Sequence, residues 1–298
     1  MSTTRTEPER KQSDAEEPRL RPAPAADPSA RERIERTLDA AEAALEEARL
    51  HGDLDVAQEP SAHERSATRL TVSVLMPVFN ERATIQEIVR RVRQEGLHDE
   101  LLIVDDCSTD GTRDLLIELE QECEEVRVIL HGYNKGKGAA LKTAIAEARG
   151  DVILVQDADL EYSPSDYARL LEPLERGEAD VVYGSRFLEN AAEQDPSWLH
   201  RFGNRMLTMA SNLTTGLRLT DMETCYKAIR REALRGMTLR EKRFGFEPEI
   251  TAKLARRGAR FVEMPISYDG RGHSEGKKIG LRDAFRALWC IARYGMFE

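Results

Sequence analysis

The stretch Asp151-Val152-Ile153-Leu154-Val155-Gln156-Asp157-Ala158-Asp159-Leu160-Glu161 restricts the fold of this chain more than any other. Its apolar run is long enough for a buried strand and too short for a helix, and it stops at two acids one residue apart. Strand neighbours two apart point to the same face, so Asp157 and Asp159 would present oxygens to one hard divalent ion such as Mg2+ or Mn2+. Acids also crowd solvated loops after strands, so an isolated Asp-x-Asp is a hypothesis until its context agrees.

The context is a series of such strands. Segments 71–78, 100–104 and 126–130 are strand-like, and Asn80-Glu81 leads into a helix whose Ile85, Ile88, Val89 and Val92 line one face. Strands and helices alternating at short intervals predict an α/β fold: a mainly parallel, Rossmann-like central sheet with helices on both faces. Ligands of such sheets bind outside the carboxyl ends of the strands. The polar clusters Pro77 to Glu81, Asp105-Asp106 and Asp157 to Glu161 all fall there. Gly136-Lys137-Gly138 precedes a predicted helix, but it lacks the third glycine of the dinucleotide fingerprint and the Gly-Lys-Ser/Thr ending of a P-loop. It reads first as a tight turn and second as a phosphate cradle.

With 298 residues and 40% hydrophobic content, the chain has material for one catalytic domain plus an extension. A net charge of -10 argues against a nucleic-acid partner. The four cysteines form no Cys-x-x-Cys pair, which suits a reducing compartment and gives no zinc site. No apolar run reaches the roughly 18–20 residues of a membrane span and no signal core is present, so a cytoplasmic protein is expected. Residues 1–29 have almost nothing to bury and are expected to be disordered. Residues 30–68 read as an amphipathic helix carrying Ile34, Leu38, Ala41, Leu45 and Ala48, then a linker. The catalytic domain is placed at 69–280 and a C-terminal amphipathic helix at 281–298.

Val74-Leu75-Met76-Pro77-Val78-Phe79-Asn80-Glu81, Val104-Asp105-Asp106-Cys107-Ser108-Thr109-Asp110-Gly111-Thr112, Asn134-Lys135-Gly136-Lys137-Gly138 and Asp157-Ala158-Asp159 occur in that order. Together they resemble the successive signatures of family 2 glycosyltransferases of the GT-A fold, and more narrowly the dolichyl-phosphate mannose synthase and dolichyl-phosphate glucosyltransferase group. The resemblance spans about residues 70–275. It implies that Pro77, Val78, Asn80 and Glu81 lie against the donor nucleotide, with Asp105 at the base or ribose and Lys137 also on the donor. It implies that Asp157 and Asp159 hold the metal and the sugar diphosphate, with Glu161 as third ligand where the family often has Gln. Arg186 is implied near the donor phosphates and Arg205 in the acceptor cleft. Asp221 matches the acid of an Asp-x-x-x-Gly-Phe segment, although Cys225 stands in place of the glycine. Arg271 and Lys277 or Lys278 are implied to face phosphates from a mobile loop. Inversion at the sugar is likewise implied by the family.

Independently of the family, a departing diphosphate gains negative charge that a bridging divalent ion stabilises without proton transfer. A hydroxyl acceptor would need a base, for which Asp221 or Glu223 is available. A lipid phosphate is already anionic and would need cations, for which Lys227, Arg230 and Arg271 are available. The resemblance, with this chemistry beside it, implies a metal-dependent, inverting transfer of a hexose from a nucleoside-diphosphate sugar to a polyprenyl phosphate. The alternative is a hydroxyl acceptor in cell-envelope polysaccharide or glycolipid synthesis. A sugar nucleotidyltransferase would want an early Gly-x-Gly-Thr-Arg loop, which Pro77 to Glu81 is not, and a non-catalytic nucleotide-binding module would lose the acceptor cations. The helix from Leu281 places Phe285, Leu288, Trp289 and Ala292 towards one side and Arg282, Arg286 and Arg293 on another. It either packs on the domain or lies peripherally at the inner face of the membrane. A homo-oligomer is compatible with all of this.

Overall fold

The computed structural model describes residues 69–188, 198–270 and 281–297. The expectations for residues 1–68, and those for Arg271, Lys277 and Lys278, lie outside the described residues. In chain order the elements are β1 (Val72–Val78), α1 (Ile85–Glu95), β2 (Glu100–Asp105), α2 (Thr112–Glu122), β3 (Val126–Leu130), α3 (Lys137–Glu147), β4 (Val152–Val155), α4 (Tyr167–Glu175) and β5 (Val181–Ser185). There follow α5 (Trp198–Thr215), β6 (Lys227–Arg230), α6 (Arg231–Leu234), α7 (Phe246–Arg256), β7 (Phe261–Pro265) and α8 (Leu281–Ala292), which runs into a π-helical turn, Arg293–Phe297.

The seven strands form one sheet in the order β3-β2-β1-β4-β6-β5-β7. Every residue of β2, β4 and β5 is buried. Because successive strand residues face opposite sides, both faces of the sheet are covered, which is why these strands read as continuous apolar runs. The α1 helix buries the foreseen Ile85, Ile88, Val89 and Val92 against it and stops at Gly96, whose φ of 62° is left-handed.

Two features of register position the site. Val78 pairs with Asp105, and Asp105 with Leu130, so the first three strands end at one edge. The second feature is β6, which runs antiparallel to both β4 and β5 between which it lies. Its four residues, Lys-Ala-Ile-Arg, are too few and too polar to announce a strand. Ala228 pairs with Leu154, so the loop that enters β6 lies beside the acids that leave β4. The insertion of one reversed strand thus brings Asp221 to Lys227 next to Asp157.

Candidate active site

The loops after β1 and β2 are locked to each other. Asn80 and Cys107 both adopt left-handed backbone, with φ of 56° and 67°, a conformation that asparagine tolerates and cysteine resists. The Asn80 amide N–H donates to Ser108 Oγ at 2.9 Å, and its side-chain oxygen accepts the Thr109 N–H at 2.8 Å. The Glu81 N–H donates to Thr112 Oγ1 at 3.0 Å. Asp105 is fully buried, and one of its oxygens accepts two Arg113 N–H groups at 2.8 and 2.6 Å. Its neighbour Asp106 accepts the backbone N–H groups of Lys135 and Gly136 at 2.8 and 2.6 Å and bonds His131 Nδ1 at 2.8 Å. Asp106 therefore shapes the glycine turn. That turn is crowded from behind: a Cβ on Gly136 would strike the Lys242 carbonyl oxygen, and one on Gly138 would lie 2.9 Å from that of Arg243. The glycines serve close packing, in agreement with the tight-turn reading, and the Ala139 N–H at the start of α3 is taken by the Lys242 carbonyl at 3.1 Å.

Lys137 leaves this turn to reach the Asp-x-Asp segment. Its ammonium lies 2.7 Å from Asp157 Oδ1 and 3.0 Å from Oδ2, with Glu247 Oε1 at 3.9 Å. Burial works against the lysine's charge, but the adjacent Asp157 carboxylate holds its pKa well above the ordinary value. Below them, the buried Gln156 accepts hydroxyl hydrogens from Tyr167 and Tyr226 at 2.7 and 2.8 Å and donates to the Asp157 carbonyl at 2.9 Å. Asp159 accepts the Glu161 N–H at 3.2 Å. Glu161 accepts the Tyr268 hydroxyl at 3.0 Å, and its carbonyl accepts the Asp269 N–H at 2.8 Å.

Among the described residues, no group of three or more His, Cys, Asp or Glu is gathered into a metal-binding set. The expected third ligand, Glu161, is thus engaged with Tyr268 rather than grouped with the two aspartates. The donor chemistry still fits a hard divalent ion that takes part of its shell from a diphosphate: Asp157 and Asp159 offer carboxylate oxygens where β4 ends. Glu247, on the far side of Lys137, has a buried oxygen, Oε2, with no hydrogen-bond partner. A carboxylate oxygen left that way calls for a cation or a donor from a ligand.

On the opposite side of β4, Asp221 is fully buried and grips Arg186, taking Nε at 2.7 Å and Nη2 at 2.9 Å. The Asn204 amide of α5 donates to the same carboxylate at 2.7 Å. Burial opposes the charge of Asp221, yet Arg186 and these hydrogen bonds keep its pKa below the ordinary value. A carboxylate held so is a poor proton acceptor, so its geometry suits fixing Arg186 better than acting as a base. Glu223 is different. Its Oε1 is sealed from solvent without a partner, and burial, with the nearby Glu247 carboxylate, pushes its pKa up to about 8.

Lys227, expected at the acceptor phosphate, is 1% exposed and donates to the Met222 carbonyl at 3.1 Å and to that of Thr224, with its ammonium 4.5 Å above the Tyr183 ring. It braces the loop from inside, and burial lowers its pKa. Arg230 likewise donates to the carbonyls of Ala179 and Leu174. Arg205 is exposed on α5. Cys225 is buried where the family pattern has glycine, and burial raises its thiol pKa, with Asp157 adding to the effect. Sequence reasoning missed Arg113, His131, Gln156 and Tyr268 as supports of the site. Only Gln156 carried a signal, as a polar residue inside a predicted buried strand.

Residues 73–237 match the family described as Glycosyl transferase family 2. The chain belongs to that family. Among its curated relatives, the glycosyltransferase AglJ of Haloferax volcanii is 33% identical over 201 residues, covering 66% of this chain and 62% of the relative. The undecaprenyl-phosphate 4-deoxy-4-formamido-L-arabinose transferase of Pseudomonas aeruginosa is 31% identical over 216 residues, covering 71% and 61%. The chain thus spans about three fifths of the length of these relatives. A solved structure of Mycobacterium tuberculosis glucosyl-3-phosphoglycerate synthase, in complex with Mn2+ and UDP-glucose, superposes with a TM-score of 0.60 at 22% identity. It covers 80% of this chain and 84% of that one, and bears out the GT-A type of fold for this family 2 member.

Proposed function

We propose that this family 2 glycosyltransferase moves a hexose from a nucleoside-diphosphate sugar to a polyprenyl phosphate. The observation that supports the reading is the buried Arg186–Asp221–Asn204 cluster, in which Asp221 is held as an anion and so is a poor base; the reading moves Arg186 from the donor phosphates, where the resemblance put it, to the acceptor. An anionic acceptor needs a cation and no base; a hydroxyl acceptor needs the reverse. The name of the undecaprenyl-phosphate 4-deoxy-4-formamido-L-arabinose transferase supports a polyprenyl phosphate acceptor, that of AglJ supports glycosyl transfer, and the glucosyl-3-phosphoglycerate synthase of similar fold was crystallised with Mn2+ and UDP-glucose.

In this mechanism Asp157 and Asp159 would hold a divalent ion, Mg2+ or Mn2+, which would supply positive charge to stabilise the departing diphosphate. Lys137 adds a second positive charge on the donor side. Asn80, Glu81 and Asp105, cross-linked by their loops, form a stiff wall for the nucleoside. Arg186 orients the acceptor phosphate so that one of its oxygens attacks the anomeric carbon from the face opposite the leaving group. The new bond is carbon to phosphate oxygen, the broken one is carbon to diphosphate oxygen, and the configuration inverts without proton transfer.

The test is calorimetric titration of UDP and GDP, with and without Mn2+, into the wild-type protein and Asp159→Ala. Metal-dependent affinity in the wild type and its loss in the variant are expected; equal affinities would remove the donor-site assignment. Transfer from the donor that binds to an undecaprenyl phosphate extract is then expected, and transfer to hydroxyl acceptors alone would overturn the acceptor.

A further inference from the structure

The α5 helix has two faces with opposite characters. On one, Asn204 holds Asp221, Thr208 Oγ1 accepts the Met222 N–H at 3.1 Å, and Ser211 is buried. About 180° round the helix, at 3.6 residues per turn, lies a bare stripe of Phe202, Met206, Met209 and Leu213. Phe202 is 58% exposed and Leu213 80%.

The α8 helix extends that stripe. It packs on α5, and the turn after it closes on the end of α5 so tightly that any side chain at Gly295 would run into Thr214. The face of α8 turned inward is Ala287, Cys290 and Ile291, while Phe285, Leu288 and Trp289 stay exposed, followed by Met296 and Phe297. Among the described residues fourteen large hydrophobics are exposed, and nine of them lie on these two helices and their turn. A patch so concentrated needs an occupant.

The charges name it. The segments Trp198–Thr215 and Leu281–Phe297 hold five arginines, Arg201, Arg205, Arg282, Arg286 and Arg293, against a single acid, Asp283, in a chain of net charge -10, and even with Arg286 paired to Glu241 at 2.9 Å the balance stays positive. Two of these arginines contact the Trp289 ring, with the Arg286 guanidinium 4.5 Å and that of Arg293 4.9 Å from its centroid. Exposed Trp and Phe with interleaved arginines match the boundary of an anionic bilayer, where aromatic rings sit at headgroup depth and guanidinium groups meet phosphate. No helix among the described residues is long and apolar enough to cross a membrane.

We propose that the α5–α8 face docks on an anionic lipid surface, and that α5 links that surface to the acceptor side of the active site through its own thickness. The docking stands on the exposed face itself; its purpose, delivery of a lipid phosphate to Arg186, rests on the function proposed above. A second copy of this chain is the competing occupant. It would have to bring its own excess of arginines to the same interface.

The test is co-sedimentation of the full chain, without substrates, with vesicles of phosphatidylglycerol and phosphatidylethanolamine and with vesicles of phosphatidylcholine alone. Binding to the anionic vesicles that weakens with added salt is expected, with about tenfold weaker binding in the double variant Met209→Glu/Leu213→Glu and in Trp289→Glu. Retained nucleotide binding and an unchanged melting temperature certify that the variants are folded. A short, water-soluble polyprenyl phosphate should still be glycosylated by them, while the vesicle-embedded acceptor is used poorly. Equal vesicle binding by wild type and variants would overturn the proposal, as would a wild-type dimer in sedimentation equilibrium that the same substitutions dissociate. Failure of transfer by every form, with vesicle binding intact, would instead overturn the acceptor.

Discussion

Replacing Glu223 by Gln should make the protein more stable at alkaline pH and leave it nearly unchanged in acid. The folded state raises this carboxyl from an ordinary 4.5 to about 8, first through burial and then through the charge of Glu247. Between those pH values the folded chain binds more protons than the unfolded one, so stability falls as pH rises; the penalty is absent below 4.5 and complete above 8. Taken whole, the interval corresponds to about 5 kcal/mol. Part of the side chain reaches solvent, which screens the charge, so about 2 kcal/mol is the figure to expect. Urea unfolding of wild type and Glu223→Gln at pH 5 and pH 8.5 measures it as the change in their stability difference. Gln should gain about 2 kcal/mol over that range. A difference that stays level, or that moves in favour of Glu, would refute the idea of an uncompensated buried carboxylate. The same variant bears on catalysis: transfer to a lipid phosphate should survive the substitution, and a hundredfold loss of kcat with KM unchanged would reveal Glu223 as the base for a hydroxyl acceptor.

Other substitutions probe the remaining supports. Asp221→Ala strands the buried Arg186 guanidinium and should cost about 3–5 kcal/mol in urea unfolding, with Asp221→Asn intermediate because it keeps hydrogen bonds to Arg186. Asp106→Ala frees the amides of Lys135 and Gly136 and should cost about 2–3 kcal/mol, with faster hydrogen exchange at those amides and weaker nucleotide binding by calorimetry. Lys137→Met removes the ammonium from Asp157, so calorimetry should show Mn2+ alone bound more tightly than by wild type and the nucleoside diphosphate with Mn2+ bound about tenfold more weakly.

The half of the site built from parallel strand ends was legible because each of its parts is local. An apolar run followed by acids says where a strand stops, and parallel order says that the stops share an edge. What stayed hidden was nonlocal. The four residues of β6 take their strand from pairing with Leu154 and Val182, neither of which is visible from Lys227–Arg230 itself. The expectation that Lys227 serves an acceptor phosphate fails for the same reason: only the reversed strand turns this cation into the core, where it bonds the Met222 and Thr224 carbonyls. Asp105 and Asp106, alike in sequence, diverge because one meets Arg113 from α2 and the other the turn before α3.

The acceptor question shows how such nonlocal contacts carry function. From sequence, Asp221 and Glu223 are both candidates for a base, since both are carboxylates of the same short segment. Packing separates them by what reaches each one: a guanidinium and an amide for Asp221, another carboxylate for Glu223. The first is thereby fixed as an anion that retains a cation beside it, and the second becomes a group that holds a proton near neutrality. If the acceptor were a hydroxyl, the proton would have to pass to Glu223, and the rate would rise with pH through about 8 as that carboxyl ionises. If the acceptor is a phosphate, Arg186 alone suffices and the rate should be level from pH 7 to pH 9, because the second phosphate ionisation, near 6, is already complete. A pH–rate profile of the wild type at saturating donor therefore decides between the acceptors without any substitution: a rise through pH 8 refutes the lipid phosphate, and a plateau refutes the hydroxyl.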